Sequence, residues 1–163
     1  MNFFKKKKIR STPNDIAQAL LDEFVNQTDD EPEYLPAWYT DEKLVEAYQA
    51  KAQLYRLALV LYVLQSEEQN NHKFVAVRDA FEGLIFTMSE EEAAPLIKQI
   101  DFAIKDLCEI FPPDEARPNA WATNWFEEIG INEGNPFTLL LLIVKWTGLC
   151  TSLVDTIREF DPI

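Results

Sequence analysis

Apolar residues along most of the chain recur at intervals of three or four positions, the spacing that places them on one face of an α-helix. No segment alternates apolar and polar residues for long enough to predict a β-sheet. The pattern predicts six helices, and we therefore expect an all-α fold, a compact single-domain bundle of five to seven helices. The six predicted helices cover residues 13–27, 41–65, 71–88, 89–111, 119–129 and 135–160.

Residues that favour helix ends support several of these boundaries. Thr12 and Thr40 precede two of the helices, where a hydroxyl can accept a hydrogen bond from a backbone amide. Ser89 and Glu92 have the spacing of a capping box, in which each side chain satisfies a backbone amide of the other residue. Pro95 lies inside the same predicted helix, so we expect a kink there or a later start of the helix.

The last predicted helix is apolar on two opposite faces in its first half. Residues 137–154 are nearly apolar enough for a membrane span, but Lys145 and several hydroxyl residues favour a helix in a protein core. This half must be covered on both sides, by the chain itself or by a second copy, and Gly148 and Ser152 permit a close approach of another helix. The side chains on the second face are Phe137, Leu140, Leu141 and Val144.

The charge of the chain reverses after its first ten residues. The 163 residues include 28 acidic and 15 basic residues, a net charge of −13, yet the first ten include five basic residues and no acidic one. An acidic body repels nucleic acid and attracts cationic proteins, so we expect a basic partner protein and no nucleic acid. We interpret residues 1–11 as a basic, flexible tail and residues 12–163 as the all-α domain. The tail offers at most weak contact with a membrane surface, through Lys5, Lys6, Lys7 and Lys8.

Few residues carry the reactive groups from which active sites are usually built. Cys108 and Cys150 lie in apolar helical patterns, which predicts two buried, reduced thiols in a cytoplasmic protein. His72 is the one histidine, and its polar surroundings lack partners at the spacing of a metal site or a catalytic triad. The sequence contains no glycine-rich phosphate loop. We therefore expect a non-enzymatic protein without a cofactor.

Two segments, residues 29–39 and 114–128, combine carboxylates with large aromatic residues. Tryptophan and tyrosine are enriched at protein-binding hot spots, and charges steer a partner of opposite sign. The leading hypothesis is a protein-binding module of the immunity or inhibitor type, similar in class to the bacterial immunity proteins that block nuclease toxins. The opposing interpretation places the large aromatic residues in the core. The candidate partner-binding residues are Glu31, Glu33, Tyr34, Trp38, Tyr39, Asp114, Glu115, Trp121, Trp125, Glu127 and Glu128.

Three tyrosines, Tyr48, Tyr55 and Tyr62, recur every seven residues along the second predicted helix. This interval places them in one row on the surface of the helix. Such a row either lines a ligand groove or packs at the boundary of the core.

Carboxylates on two predicted helices provide an alternative function. Glu42 and Glu46 are one turn apart on the second helix, and Asp79 and Glu82 are three residues apart on the third. Facing pairs of this kind could hold Mg²⁺. The arrangement resembles in outline the all-α nucleotide pyrophosphatases, which hold magnesium with acidic pairs on adjacent helices, and the resemblance implies a magnesium-dependent nucleotide hydrolase. A further alternative is a homodimeric structural or adaptor protein that buries the second apolar face of the last helix.

Overall fold

The chain forms six packed α-helices in the computed structural model, which describes residues 8–27, 37–110 and 118–163. Helices account for 78% of the structure, and they pack into one body. This confirms the predicted all-α bundle. The helices are α1 (Pro13–Leu20), α2 (Glu42–Asn70), α3 (Phe74–Ile85), α4 (Glu90–Leu107), α5 (Pro118–Glu127) and α6 (Pro136–Glu159).

Helix α2 is the central element of the bundle. Helices α3, α4 and α6 all pack against α2, while α1 packs on α3 and α5 packs on α6. Its second half is apolar on nearly all sides, so it can be shielded from water only by several neighbours. The buried apolar residues of α2 are Ala52, Tyr55, Ala58, Leu59, Val60, Leu61, Val63 and Leu64.

Several helix ends follow the sequence signals. The Thr12 hydroxyl accepts a hydrogen bond from the Asp15 amide at 3.2 Å, and the Ser89 amide donates to the Glu92 carboxylate at 3.2 Å. Helix α2 is capped by Asp41 instead of the predicted Thr40, because the Asp41 carboxylate accepts from the backbone amides of the next turn. Helix α4 begins at Glu90 and contains Pro95, so of the two alternatives expected at this proline the later start is wrong, and the kink stays a prediction.

Two helix boundaries differ from the periodicity for identifiable reasons. Helix α1 ends at Leu20 and continues as one π-helical turn, Leu21–Val25, which a pattern of period 3.6 does not predict. Helix α2 extends to Asn70, five residues beyond the predicted end. The extension looks polar in sequence, but Glu67 within it is buried and accepts two hydrogen bonds from the Arg158 guanidinium of α6, at 2.7 and 3.0 Å.

A short parallel pair of strands joins the two ends of the described chain. Strand β1 (Ile9–Ser11) pairs with strand β2 (Phe160–Pro162), with Ile9 opposite Phe160. Residues 9–11, which the sequence analysis assigned to the basic tail, thus form a strand, and three residues are too few to produce a period-two signal in the sequence. Residues 1–7 lie outside the described residues.

Helix α6 is buried on one face and exposed on the opposite face. Trp146, Leu153 and Ile157 are fully buried on its inner side. By length and composition α6 could cross a membrane, since its most apolar window has a mean hydropathy of 1.8 and only 28% of that window is buried. Helix α6 is thus a core helix on its inner side only, and not on all sides as the sequence analysis expected. On the other face, Phe137, Leu140, Leu141 and Val144 are 41–57% exposed.

The two cysteines agree only in part with the prediction. Both thiols are free, as expected for a reduced protein. Cys108 is exposed and Cys150 is half-buried, so the prediction that both are buried is wrong. Cys108 follows the last residue of α4, where the helix ends in a turn and the apolar periodicity no longer specifies the inner face.

The buried Glu67 carboxylate makes the Arg158 pair important for stability. We expect Arg158→Ala to lower the free energy of unfolding by about 1.5 kcal/mol, because the buried Glu67 carboxylate loses two hydrogen bonds while the arginine that donates them is itself 58% exposed. The control is Lys73→Ala, which breaks the solvent-exposed Lys73–Asp161 pair at 2.8 Å and should cost clearly less. Urea denaturation measures both values, and equal losses would contradict this role of Glu67.

Candidate partner-binding surface

The two aromatic–acidic segments meet at Trp38. The Trp38 ring lies 5.2 Å from the ring of Tyr48 on α2 and 5.9 Å from that of Phe126 on α5. Its indole N–H donates to a carboxylate oxygen of Glu133 at 3.2 Å. The described parts of two segments nearly 90 residues apart in sequence therefore form one surface. We call it the aromatic–acidic corner, and it comprises Trp38, Tyr39, Glu127, Glu128 and Glu133.

Local structure holds this corner in place. Trp38 and Tyr39 belong to a short 3-10 helix, Ala37–Thr40, which leads directly into α2. The second carboxylate oxygen of Glu133 accepts from the backbone amide of Asn135 at 2.8 Å, just before α6. Glu133 thus connects the start of α6 with the aromatic side chain of a distant segment, and both of its oxygens are used.

The structure separates the predicted partner-binding residues into different groups. Trp121 and Trp125 are 2% and 1% exposed, so the prediction that they contact a partner is wrong: they are core residues. Trp38 and Tyr39 are half-buried, and Glu127 and Glu128 are exposed. Tryptophans one helical turn apart form the same pattern whether their face meets solvent or a neighbouring helix. The predicted residues Glu31, Glu33, Tyr34, Asp114 and Glu115 lie outside the described residues.

Lys51 connects the corner to the core and is not among the predicted site residues. Its ammonium donates to the Trp125 carbonyl at 2.8 Å and pairs with the Glu128 carboxylate at 2.6 Å. It also lies 4.7 Å from the Trp125 ring and 5.4 Å from the Tyr55 ring. Burial lowers the pKa of Lys51, although Glu128 acts in the opposite direction. The available signal was its spacing, because Lys51 is three and four residues from the neighbouring tyrosines of the row.

The tyrosine row packs at the boundary of the core, the second of its two interpretations. The Tyr55 hydroxyl donates to the Asp106 carboxylate of α4 at 2.5 Å. Burial raises the pKa of Asp106, even though Tyr55 and the nearby Trp121 indole favour the charged carboxylate. The Trp121 N–H lies near this carboxylate but is too far or too poorly aligned for a hydrogen bond, and it has no other partner among the described residues. Tyr55 is therefore the side chain whose hydrogen bond to Asp106 joins α2 to α4.

Lys145 of α6 turns its charge inward, toward the same row. Its ammonium donates to the Tyr48 hydroxyl at 3.2 Å and lies 5.4 Å from the Tyr48 ring. Burial, with a smaller contribution from Arg56, lowers the pKa of Lys145 to about 7. Burial, with a smaller contribution from Tyr39, raises the pKa of Tyr48 to about 12. Tyr48 is therefore neutral wherever Lys145 changes its charge.

The four carboxylates of the predicted magnesium site do not converge. Glu42 and Glu46 lie in the first turns of α2, whereas α3 follows the other end of α2, which rises about 43 Å over its 29 residues. Asp79 and Glu82 follow Arg78 by one and four residues on α3, and their carboxylates pair with its guanidinium at 3.2 and 3.6 Å. No group of three potential metal ligands occurs among the described residues. The structure thus does not bring the four predicted magnesium ligands together.

Two grooves run along α2 beside the π-helical turn. One, of about 310 Å³, is lined by Glu46, Gln49, Gln53 and the buried Arg56, whose guanidinium donates to the Gln27 carbonyl. The other, of about 350 Å³, is mainly apolar and lies toward α4. Neither groove includes a residue of the aromatic–acidic corner.

Comparison with known proteins provides no relative. No protein family model matches the chain, and neither a curated protein nor a solved structure matches it. Function is therefore inferred from three observations: the aromatic–acidic corner, the contacts that Lys51, Tyr55 and Lys145 make beside it, and the charge of the chain.

The buried ammonium of Lys145 predicts a pH-dependent stability. Between pH 7 and about pH 10 the unfolded chain keeps this lysine protonated while the folded chain releases the proton. Stability therefore rises with pH in this window, and below pH 7 the penalty of the buried charge is complete. Relative to Lys145→Met, the wild type should gain up to about 1 kcal/mol per pH unit from pH 7 upward.

Urea denaturation at a series of pH values measures this difference. Lys98→Met, at an exposed position of α4, serves as the control for the loss of one lysine charge. If the free energy of unfolding of the wild type and of Lys145→Met changed with pH in the same way, Lys145 would not be held in a desolvated position.

Proposed function

We propose that this chain is a non-enzymatic protein-binding module that binds a basic partner protein through the aromatic–acidic corner. Its sharpest form is an immunity- or inhibitor-type role, in which the module covers a functional surface of the partner in the cytoplasm. The observation that carries the proposal is the combination of exposed carboxylates and half-buried aromatic rings at one corner of an acidic body.

The charge distribution supports a cationic partner. The described residues include 22 acidic and 11 basic side chains. Several of the basic groups are already engaged within the chain, since Lys51, Arg78 and Arg158 all pair with carboxylates. The surface field is therefore dominated by acids, which accelerates the approach of a basic protein and repels acidic competitors.

The corner has the features of a binding surface that is ordered in advance. The Trp38 indole is held by Glu133 and packed against Tyr48, so little side-chain freedom is lost when a partner covers it. The Tyr39 ring lies 5.8 Å from the Trp38 ring and is half-buried beside it. Aromatic anchors surrounded by charges are the usual arrangement of a protein-binding hot spot.

A second candidate, the homodimeric adaptor, is supported by a different observation. The outer face of α6 is apolar and exposed, and a second copy of the chain could cover it. Because it uses a different surface, it is compatible with partner binding at the corner.

The test begins with the tagged protein as bait in a lysate of its native host. We expect one basic protein to be retained at low salt and released as the salt concentration rises. That protein is then purified, and its affinity is measured for the wild type, Glu127→Lys and Asp155→Lys. Charge reversal at Glu127 in the corner should weaken binding at least about ten-fold, mainly through slower association.

Asp155→Lys is the matched control. Both residues are exposed acids near the end of a helix, where lysine interacts well with the helix dipole. The first residue of α6 adjoins the corner, and Asp155 lies 19 residues further along this helix, a distance of about 29 Å. Equal effects of the two substitutions would contradict binding at the corner, and a partner retained at high salt would contradict the electrostatic mechanism.

A further inference from the structure

The two grooves beside α2 adjoin and form one longer cavity. The first, of about 310 Å³, and the second, of about 350 Å³, share part of their lining. Along α2 this lining extends from Glu46 to Leu57, a rise of about 16 Å. We call the joined cavity the α2 groove. The residues that line both of its halves are Val25, Asn26, Ala50 and Gln53.

The first half of the α2 groove carries a row of polar side chains. Glu46, Gln49 and Gln53 follow one another at intervals of three and four residues, which places them on one face of α2. All three residues are exposed, and their side chains make no hydrogen bond or ion pair within the part of the chain that the structure describes. Their donors and acceptors can therefore bind a ligand.

The second half of the groove is apolar. It is lined by Leu54 and Leu57 of α2, by Leu96 of α4 and by Leu21 of the π-helical turn. These four side chains are half-buried, so each keeps some apolar surface open to an occupant. An occupant of the whole groove therefore needs polar groups at one end and an apolar group at the other.

The two glutamines have the spacing of an extended peptide backbone. A glutamine amide offers an acceptor oxygen and N–H donors, and a peptide group likewise offers one acceptor and one donor. Gln49 and Gln53 are four residues apart, a rise of about 6 Å along α2. In an extended chain every second residue points the same way, with a repeat of about 6.6 Å. Each amide can therefore pair with one peptide group of an extended segment.

Other classes of occupant match the groove less well. A helical peptide pairs its backbone groups internally and leaves little for the two amides to bind. A nucleobase is usually held by stacking on an aromatic ring, and among the described residues no aromatic side chain lines either half of the groove. The net charge of −13 also repels the phosphates of a nucleic acid.

The two charged residues of the groove set the direction of charge in the ligand. The Glu46 carboxylate favours a cation at its end of the groove. Arg56 lies ten residues further along α2, about 15 Å away, and its guanidinium disfavours a second cation there. The cationic group of the ligand therefore belongs at the Glu46 end.

We propose that the α2 groove binds an extended peptide segment of a partner protein, with a basic side chain beside Glu46 and a large apolar side chain between α2 and α4. At about 3.3 Å per residue, the length of the groove separates these two side chains by about five residues. The groove shares no residue with the aromatic–acidic corner, so this inference does not rest on the proposed function.

Selection of peptides on the immobilised wild type supplies the probe. The library displays random peptides about nine residues long. We expect the enriched sequences to share a basic residue and a large apolar residue about five positions apart. Absence of enrichment, or enriched peptides without this pattern, would overturn the proposal.

Fluorescence anisotropy with one enriched, labelled peptide measures the role of the two amides. Gln49→Ala and Gln53→Ala should each weaken binding about five-fold, because each removes hydrogen bonds to the peptide backbone. Alanine favours the helix at these exposed positions, so both variants should keep the helix content of the wild type, which circular dichroism checks.

Gln65→Ala is the matched control. Gln65 is also an exposed glutamine of α2 but does not line the groove, so its loss should leave the affinity unchanged. Equal effects of the three alanine variants would contradict binding in the groove.

Methylation of the peptide tests recognition of its backbone. The same peptide is prepared with one backbone N–H at a time replaced by N–CH₃. Binding should fall at alternate positions, because every second residue of an extended segment points toward α2. At a sensitive position the loss should be smaller for Gln49→Ala or Gln53→Ala than for the wild type, since the interaction is already absent. Equal tolerance of methylation at all positions would overturn the extended backbone.

Charge variants distinguish the groove from the aromatic–acidic corner. In salt of about 0.15 M, where charges are screened beyond about 8 Å, Glu46→Gln should weaken binding of the peptide, and Glu127→Lys should not. Loss of peptide binding in Glu127→Lys but not in Glu46→Gln would place the peptide at the corner and overturn the groove site, while leaving the proposed function intact.

Discussion

Burial of the second half of α2 is the constraint on which the rest of the fold depends. From Ala52 to Leu64 this helix turns apolar side chains in nearly every direction, so one neighbouring helix cannot shield it. Helices α3 and α4 cover two of its sides, and α6 and the π-helical turn cover further parts. Each of these neighbours needs one apolar face for this contact. Helix α6 has two such faces, and its second one stays exposed.

Polar groups at the edge of this core fix the positions of the neighbouring helices. Apolar packing alone tolerates small shifts of one helix along another, whereas hydrogen bonds and ion pairs require particular atoms to meet. Tyr55 fixes α4 through Asp106, and Lys51 fixes α5 through the Trp125 carbonyl and Glu128. The price of this precision is desolvation, which is visible in the lowered pKa of Lys51 and the raised pKa of Asp106. The aromatic–acidic corner therefore rests on a base of defined geometry.

Sequence periodicity predicted the helices well, because each helix has an apolar face whose spacing is local. It failed where the deciding contact is distant in sequence. Glu67 looks like a surface residue until Arg158 reaches it across the bundle, and Trp121 and Trp125 look as suitable for binding as for packing. Of the predicted site, Trp38 was recognised as an aromatic candidate, but its bond to Glu133 joins residues 95 positions apart. No local pattern contains that contact.

The protein thus has two outer surfaces of opposite character on one scaffold, an acidic corner with aromatic rings and the exposed apolar face of the first half of α6. Both rest on elements that contact α2, and we expect α2 to be the most stable element of the fold. Native-state hydrogen exchange followed by NMR tests this most directly. The account predicts that amides from Ala52 to Leu64 exchange only through global unfolding and are the slowest in the chain. Faster exchange there than in α4 or α6 would contradict the central place of α2.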